Sequence, residues 1–437
     1  MTTAVRRIVF STIVLLVLGL IPRAFAATVA VGGCTSFPSY TTITEAISGS
    51  PAGTIIDICP GTYAEQVTIS KALTLIGVGF GSNQKAVVIV PPSGGLQANT
   101  TDFDNNNLPV AAQVLVQNAS GPVVLNGIVV DGSGNGLSGC GTDIMGILFQ
   151  NASGTIENVA ARNQTLDTAD YGCQTGEGIY VETQSGSTST VAVLSSSVHN
   201  YQKNGITGDD LGTTITITSN DVQGWGPTPA IAQNGIQMCC GATGSVTFNK
   251  VIDDVYTGPT YGAAGILLFD TLETSGISVG NNIVGNTQIP VGLYTDEFAS
   301  NEYGDGVTVT NNRLFGNIDF DAIDVCTNSN MITSNLITNS WDSAVHLDAS
   351  CSGGGHNTGN NNSVTSNTIN EGECAGILAD AATSGNNASA SSNTLYNVIY
   401  KSLSSTSSCT FPPNSPAVGH RVFSPKGRPQ KNLPSGR

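Results

Sequence analysis

The sequence predicts an all-β chain folded as a right-handed parallel β-helix, a solenoid of short strands, with one short capping helix near its N-terminus. Two repeated patterns carry this prediction. One is an apolar–polar alternation that ends in asparagine, and the other is a small residue followed by alternating apolar residues. Both have the two-residue period of strands, and neither has the 3.6-residue period of helices.

The asparagine pattern is clearest in "GVTVTNNRLFGN" at residues 306–317. Aligning one asparagine from each copy gives steps of 29, 33, 30, 23, 32 and 26 residues from Asn220 onward. Such a ragged period is typical of a solenoid whose coils bury one another. Asparagine tolerates left-handed turns and its stacked amides can bond to each other, so we interpret the aligned residues as structural. They are Asn158, Asn220, Asn249, Asn282, Asn312, Asn335, Asn367 and Asn393.

The second pattern, such as "GIYV" at 178–181, adds a further short strand to each coil, for three strands in all. Counting the small residue as zero, positions +1 and +3 are apolar and should point into the core. Because side chains alternate along a strand, positions +2 and +4 should face outward into solvent.

The N-terminal coils are distinct from the later ones. "TITEAI" at 42–47 predicts a short helix that covers the open end of the solenoid core. The predicted strands "TIIDI", "QVTI" and "LTLIG" follow this helix, and the last of them ends at residue 77.

Tyr40, Ile43, Ala46-Ile47, Pro60-Gly61 and "LTLIG" resemble the N-terminus of pectin methylesterases, and the later coils resemble other proteins of the pectin-lyase-like superfamily. This resemblance implies the β-helix fold over roughly 28–400, and a glycan held on the outer face of one sheet. It does not extend to chemistry, because "GRPW" and "DFIFG" of the methylesterases and "HG" and "RIK" of the polygalacturonases are not found.

Composition and length favour one elongated domain. Only 11% of the 437 residues are charged, and 52 are glycine, as suits a β-solenoid. We predict a signal peptide at 1–26, the β-helix at 27–400 and a basic, Ser/Pro-rich, mostly disordered tail at 401–437. The basic start, apolar middle and Ala24-Phe25-Ala26 ending predict secretion, extracellular or periplasmic, although a retained membrane anchor is the alternative.

Ten cysteines suit an oxidising compartment and predict disulfides. Stacked register pairs Cys140 with Cys173, and the N-terminal cap brings Cys34 to Cys59. Cys239 and Cys240 are left as a vicinal pair or as free thiols. Cys326 and Cys351 lie on adjacent coils, which suggests a third pair. Cys374 and Cys409 could form a fourth pair that holds the C-terminal end.

The charge of the chain restricts its partners. Residues 27–420 carry 7 basic and 31 acidic side chains, a net charge of −24. Nucleic acids and anionic membranes are poor partners for such a surface, whereas neutral polysaccharide, a cell-surface glycan or Ca²⁺ suits it. We expect a monomer, with no membrane insertion after signal cleavage.

The outward positions concentrate acids on one sheet. Asp324, His346 and Asp348 are the candidate catalytic residues, because paired carboxylates hydrolyse glycosidic bonds. Ca²⁺ at Asp296, Asp324 and Asp348 is an alternative occupant, and a purely solvated surface is another. The candidate substrate-binding residues are Tyr180, Glu182, Tyr294, Asp296 and Asp380.

The sequence leaves three functions open. The first is an exported protein that interacts with polysaccharide, as a polysaccharide lyase, a glycoside hydrolase or a binding protein. The second is a non-catalytic adhesion or structural solenoid. The third is a metal-handling maturation protein, for which Cys239 and Cys240 would be the soft ligands.

Overall fold

The protein is a parallel β-helix, as predicted. The computed structural model describes residues 27–79, 87–103, 107–259, 261–273, 276–295, 304–316, 320–349 and 358–404. The predicted signal peptide, Asp296, Cys351, Cys409 and residues 405–437 of the predicted tail lie outside the described residues.

The strands stack into three parallel ladders, which we call A, B and C. Ladder A is a 13-stranded sheet, and the other 23 strands form one sheet in which long C-terminal strands join ladders B and C. The strands of ladder A are Thr28–Val31, Ser39–Tyr40, Thr54–Ile58, Leu73–Gly77, Val123–Asn126, Gly154–Glu157, Ser189–Leu194, Thr213–Thr218, Thr243–Thr247, Ser278–Gly280, Thr308–Thr310, Met331–Thr333 and Ser363–Thr365.

Ladders B and C supply the other two sides of each coil. The strands of ladder B are Gly61–Ala64, Val87–Val90, Ile128–Asp131, Ala160–Arg162, Ser197–His199, Asp221–Thr228, Lys250–Tyr256, Ile283–Gly285, Arg313–Phe315 and Leu336–Ser340. The strands of ladder C are Val67–Ile69, Pro109–Gln117, Asp143–Gln150, Glu177–Glu182, Asn204–Gly208, Asn234–Cys239, Ala264–Phe269, Ile289–Tyr294, Ile323–Val325 and Ser343–Leu347. Thr368–Ala379 and Thr394–Ser404 run through both ladders, and Thr100–Thr101 pairs antiparallel with Pro109–Gln117.

The interior is a single apolar core along the described solenoid. The predicted inward column holds, because Ile323 pairs with Val345 and Val345 pairs with Ile377, and all three are buried. The last strand ends at Ser404, four residues beyond the predicted end of the solenoid.

The predicted capping helix is Ile43–Gly49. Thr42 Oγ1 accepts a hydrogen bond from Glu45 N at 3.1 Å, and the Glu65 carboxylate accepts from Ile43 N at 2.9 Å and Thr44 N at 2.8 Å. These bonds satisfy amides that lack partners inside the helix. Its buried side chains, which include Ile43 and Ile47, join the core and close its N-terminal end. The other two helical turns among the described residues are 3₁₀ helices, at Thr168–Asp170 and Ala390–Ser392.

The asparagines form the predicted ladder from Asn220 to Asn393. Each side-chain amide donates to the next Oδ1, at 2.9 Å from Asn220 to Asn249 and 3.1 Å from Asn249 to Asn282. The expectation that these asparagines occupy the left-handed turn is wrong, because the residue before each ladder asparagine from Asn220 to Asn367 takes it, as with Ser219 at φ 61°. The remaining links join Asn282, Asn312, Asn335, Asn367 and Asn393.

The alignment of Asn158 is also wrong, by one residue. Asn158 takes the left-handed turn itself, at φ 51°. In the next coil Ser196 stands in the ladder position, with its N–H donating to Asn220 Oδ1 at 2.9 Å and its hydroxyl accepting from Val159 N at 3.1 Å. A serine hydroxyl replaces the amide, and a pattern search for asparagine misses it.

Replacing Asn282 by alanine should destabilise the solenoid. Asn282 Oδ1 accepts from both Asn249 N and Asn249 Nδ2, so the change leaves two buried donors without an acceptor. Each such donor costs about 1–3 kcal/mol. Urea titration should show this loss for Asn282→Ala and little change for Asn370→Ala. The Oδ1 atom of Asn370 accepts only an exposed hydrogen bond, from Asn397 Nδ2. Equal losses in the two variants would show that the ladder is not a source of stability.

The disulfides match the predictions that fall on described residues. Cys34 is bonded to Cys59, and Cys140 to Cys173. Cys239 and Cys240 form a vicinal disulfide. Cys326 is also disulfide-bonded, while its expected partner lies outside the described residues. Within the described ranges, no helix has both the length and the apolar character that crossing a membrane requires.

Candidate active site

The outer face of ladder C is covered by other segments of the chain. Thr100 Oγ1 donates to Gln150 Oε1 at 2.6 Å, and Phe103 N donates to Glu182 Oε2 at 3.2 Å. Tyr180, whose hydroxyl is hydrogen-bonded to Asp209, is fully buried. The expectation that Tyr180 and Glu182 face solvent is therefore wrong. Alternation predicts which side chains leave the core, but not what packs over them.

A second apolar layer explains part of this coverage. Leu115, Leu148 and Tyr180 pack together outside the core near the N-terminal half of ladder C. Further along, the Cys239–Cys240 disulfide packs with Leu267, Phe269 and Tyr294. Much of the outer face of ladder C is therefore buried in apolar clusters that lie outside the main core.

Six ionisable residues meet at the C-terminal part of this face, and we call them the acidic cluster. Asp324 and His346 are register partners on neighbouring coils, and His346 is the partner of Leu378, two residues before Asp380. The members are Asp321, Asp324, Asp342, His346, Asp348 and Asp380.

His346 connects the carboxylates of the acidic cluster. Its Nδ1 lies 3.0 Å from Asp321 Oδ2 and 4.0 Å from Asp324 Oδ1, and its Nε2 lies 3.4 Å from Asp380 Oδ1. Burial alone would lower the pKa of His346. The charge of Asp321 and the hydrogen bonds with Asp321 and Asp380 outweigh burial and raise this pKa well above its usual value. The neighbouring carboxylates therefore favour the cationic form of the imidazole.

Asp324 is the most enclosed acid with a perturbed pKa in the acidic cluster. Burial, followed by the charges of Asp321 and Asp348, raises the pKa of Asp324 well above its usual value. The Tyr294 hydroxyl is hydrogen-bonded to Asp324, and burial together with that carboxyl raises the pKa of Tyr294. The surroundings of Asp324 therefore favour its protonated form relative to a carboxyl in water.

Asp342 and Asp380 lie at the more accessible margins of the acidic cluster and have opposite pKa shifts. Burial, then the charge of Asp321, raises the pKa of Asp342 to about 7. For Asp380, burial opposes ionisation, but the hydrogen bond and charge of His346 and the N–H of Ala349 lower the pKa to about 2. The Asp380 side chain is 17% exposed and that of His346 is 11% exposed. At pH 5, Asp342 carries a proton that Asp380 lacks.

The structure brings together five of the residues proposed from the sequence: Tyr294, Asp324, His346, Asp348 and Asp380. The prediction that Asp324, His346 and Asp348 face solvent is wrong, since all three residues are buried. The same holds for Tyr294, because the outer layer packs over this end of ladder C as well.

Sequence reasoning missed Asp321 and Asp342. Asp321 directly precedes Ala322, the small residue that starts its strand pattern, and Asp342 lies two residues before Ala344. The signal was present, because both acids stand just before a repeat that carries an outward acid or histidine. The repeat pattern assigns only the positions after the small residue.

The acidic cluster contains two groups of potential metal-ligand atoms. Ligand atoms of Asp321, Asp324 and His346 lie within 4.8 Å of one another, as do those of His346, Asp348 and Asp380. Ca²⁺ prefers six to eight oxygen ligands, and here a cationic imidazole takes the place between the carboxylates. Cys239 and Cys240 are disulfide-bonded, so as they stand they offer no thiolate to a soft metal.

Comparison with known proteins shows the fold and no family. No family model and no curated protein sequence matches the chain. A GH136 lacto-N-biosidase from Eubacterium ramulus is similar in structure, with a TM-score of 0.53 and 12% identity over 86% of this chain and 67% of that one. The catalytic domain of a GH87 alpha-1,3-glucanase in complex with nigerose has a TM-score of 0.52 and 11% identity, over 86% and 68%.

A third similar structure is the DFA-IIIase from Arthrobacter chlorophenolicus A6 in complex with GF2. It has a TM-score of 0.50 and 13% identity, over 85% of this chain and 98% of that one. The protein thus spans about two thirds of the two glycosidase chains and nearly all of this one. These likenesses and the parallel ladders establish the parallel β-helix fold.

Proposed function

We propose that the protein is a glycoside hydrolase that acts on polysaccharide, with its catalytic carboxyls in the acidic cluster. The observation that carries the proposal is the pair of opposite pKa shifts at Asp342 and Asp380, both of which are influenced by the charge of His346. Hydrolysis of a glycosidic bond needs one protonated and one ionised carboxyl, and environment is what separates them. The glycosidases of similar fold support this choice of reaction.

In this proposal Asp342 donates its proton to the glycosidic oxygen as the bond breaks. Asp380, kept ionised by His346, either attacks the anomeric carbon or activates the water that does so. His346 is a positioning residue, because its Nε2 lies 3.4 Å from Asp380 Oδ1 and its Nδ1 is held by Asp321. Asp324, hydrogen-bonded to Tyr294, lies deeper and supports this arrangement.

A uronate lyase is disfavoured by the placement of the cationic residues. The two arginines of the described residues both lie on ladder B. Arg162 pairs with Asp131 at 2.8 Å, and Arg313 lies over the Phe315 ring. An acidic substrate would meet carboxylates without an arginine from this part of the chain. A neutral polysaccharide therefore fits the acidic cluster better.

We also propose that the protein acts outside the cytoplasm. Its disulfides are consistent with an oxidising compartment. The predicted signal peptide would supply the route, and sequencing the N-terminus of the secreted protein would test cleavage after Ala26.

The test is hydrolysis of a panel of neutral oligosaccharides, with the products identified by mass spectrometry. We expect turnover of at least one glycan, and its loss by about 10²- to 10⁴-fold in Asp380→Asn. Asp221→Asn is the matched control, because Asp221 is an exposed acid on ladder B that forms an ion pair with Lys250. Turnover that survives in Asp380→Asn would place the reaction elsewhere.

A second candidate is a non-catalytic glycan-binding protein. The burial of Asp324 and Asp348 favours it, since these acids are closed off from a bulky substrate. Binding of a glycan by calorimetry, with no new product after prolonged incubation, would support this function over hydrolysis.

A further inference from the structure

A cleft of about 590 Å³ lies beside Asp380, in the segment 380–389 that follows the strand Thr368–Ala379, and we call it the Asp380 cleft. Its volume is within the range of roughly 300–1,000 Å³ that is usual for sites that hold small ligands. Ser384, Asn387 and Ser389 are exposed, so the Asp380 cleft is open to solvent. Because Asp380 also belongs to the acidic cluster, the Asp380 cleft is continuous with the proposed active site.

The lining of the Asp380 cleft is polar but carries little charge. Among the described residues that line it, Asp380 is the only one with an ionisable side chain. The other polar lining residues carry hydroxyl or amide groups, and they are Thr383, Ser384, Asn386, Asn387 and Ser389. Such groups can both donate and accept hydrogen bonds, as can the hydroxyl groups of a sugar. The lining therefore matches a neutral ligand that is rich in hydroxyl groups.

Hydrogen bonds to the preceding coil fix the wall of the Asp380 cleft. Ser384 N donates to Asn360 Oδ1 at 2.7 Å, and Asn386 Nδ2 donates to Gly359 O at 2.8 Å. Asn386 Oδ1 also accepts from Asn362 N at 2.7 Å. The wall is therefore formed before a ligand arrives, which lowers the entropy that binding would cost.

Asn387 is a lining residue whose side chain keeps its hydrogen-bonding capacity. Its backbone is held, because Asn387 N donates to Asn362 O at 2.8 Å and Asn387 O accepts from Val364 N at 2.9 Å. Its side-chain amide is exposed and has no hydrogen-bond partner among the described residues. Two N–H donors and one carbonyl acceptor are therefore available, on a fixed backbone, to a ligand in the Asp380 cleft.

We propose that the Asp380 cleft is a subsite that binds a sugar residue of a neutral glycan, and that the Asn387 amide hydrogen-bonds to the hydroxyl groups of that sugar. This inference rests on the proposed hydrolase function, because the Asp380 cleft would hold the part of the glycan next to the bond that is cleaved. Asn387 is then a specificity-determining residue, since a sugar whose hydroxyl groups point away from its amide loses these hydrogen bonds.

Other classes of ligand fit the Asp380 cleft less well. Ca²⁺ prefers six to eight oxygen ligands, whereas the lining supplies one carboxylate. The two oxygens of that carboxylate already have partners, with His346 Nε2 at 3.4 Å and Ala349 N at 3.1 Å. An anionic sugar would be repelled by Asp380 and by the net charge of −24 over residues 27–420. A neutral sugar meets neither obstacle.

Binding that is measured apart from turnover tests the subsite. Cellotetraose, laminaritetraose, nigerotetraose and chitotetraose are each titrated by calorimetry into Asp380→Asn, and into the parent where mass spectrometry finds no product. We expect at least one tetrasaccharide to bind, and we expect Asn387→Ala to weaken that binding by about tenfold, as the loss of one or two hydrogen bonds predicts. Asn370→Ala is the matched control, because it removes a similar amide from ladder B, outside the Asp380 cleft, and should leave binding unchanged.

The outcomes separate the subsite from the hydrolase function. Unchanged binding in Asn387→Ala, or no binding of any of the four tetrasaccharides, would overturn the subsite, while turnover that is lost in Asp380→Asn would still support hydrolysis. Weaker binding in Asn387→Ala, with no turnover of any glycan by the parent, would support the subsite and contradict the hydrolase function.

A second variant guards against a loss of structure in Asn387→Ala. Asn387→Asp keeps the size of the side chain but replaces its two N–H donors with an acceptor, so it should also weaken binding. Because the Asn387 side chain is exposed, both variants should melt at the temperature of the parent. Binding that survives in Asn387→Asp would contradict the donor role of this amide.

Discussion

Replacing Asp342 by asparagine is expected to lower kcat by about 10²- to 10⁴-fold, the usual contribution of a positioned general acid. The variant keeps the shape of the side chain but has no acidic proton to donate to the leaving group. Kinetics on the glycan identified in the panel would measure this, at a pH below 7. Substrates with an activated leaving group should recover most of the rate, because they need no proton. A loss that is equal for activated and natural substrates would contradict the role of Asp342.

The pH dependence follows from the same two carboxyls. Asp342 must be protonated, so kcat/KM of the parent should fall as the pH rises through about 7. Asp380 must be ionised, so its own limit lies near pH 2. In the pH profile of the residual activity, Asp342→Asn should remove the fall at high pH, and Asp380→Asn should remove the fall at low pH. A parent profile that stays flat from pH 5 to pH 9 would contradict this assignment.

Stability should change with pH for the same reason. Folding raises the pKa of Asp342 from 3.8 to about 7, so its contribution is present below pH 4 and is lost as the pH rises to 7. Folding lowers the pKa of Asp380 from 3.8 to about 2, so its contribution is present above pH 4 and is lost as the pH falls to 2. Asp342→Asn should remove the first effect and leave the second.

Val345→Asp is expected to unfold the C-terminal coils, at a cost of several kcal/mol for an unpaired charge in a dry core. Val345 is fully buried between Ile323 and Ile377, and no cation faces that column in the described residues. Urea titration with hydrogen exchange would locate the loss in residues 320–349. Because the acidic cluster lies on the same strands, activity should be lost with it.

Leu336→Asp is the control for this variant. Leu336 is 39% exposed, and it pairs with Arg313 on the outer face of ladder B. An aspartate there stays in water beside a cation, so we expect little change in the free energy of unfolding. If Val345→Asp and Leu336→Asp melted alike, the inward and outward positions would have to be exchanged.

The sequence by itself determined the path of the chain. The spacing of asparagines and small residues determined the coil, the inward column of Val345 and the pairing of Cys140 with Cys173. It did so because a strand's two-residue period and the stacking of coils are local rules that a repeated sequence obeys at every turn. The same rules predict that Asp324, His346, Asp348 and Asp380 lie close together on one sheet.

Only the tertiary structure decided what lies beyond the outer face of ladder C. The segment that contains Phe103 bonds to Glu182, and Tyr180 and Asp324 are buried as well. No period in the sequence predicts where such a segment will lie. Asp321 and Asp342 precede their strands, where the repeat pattern assigns no orientation to a side chain. Their place in the acidic cluster is therefore also decided by the tertiary structure. The pKa of a carboxyl depends on burial and on charges from other coils, so the contrast between Asp342 and Asp380 exists only in the folded chain.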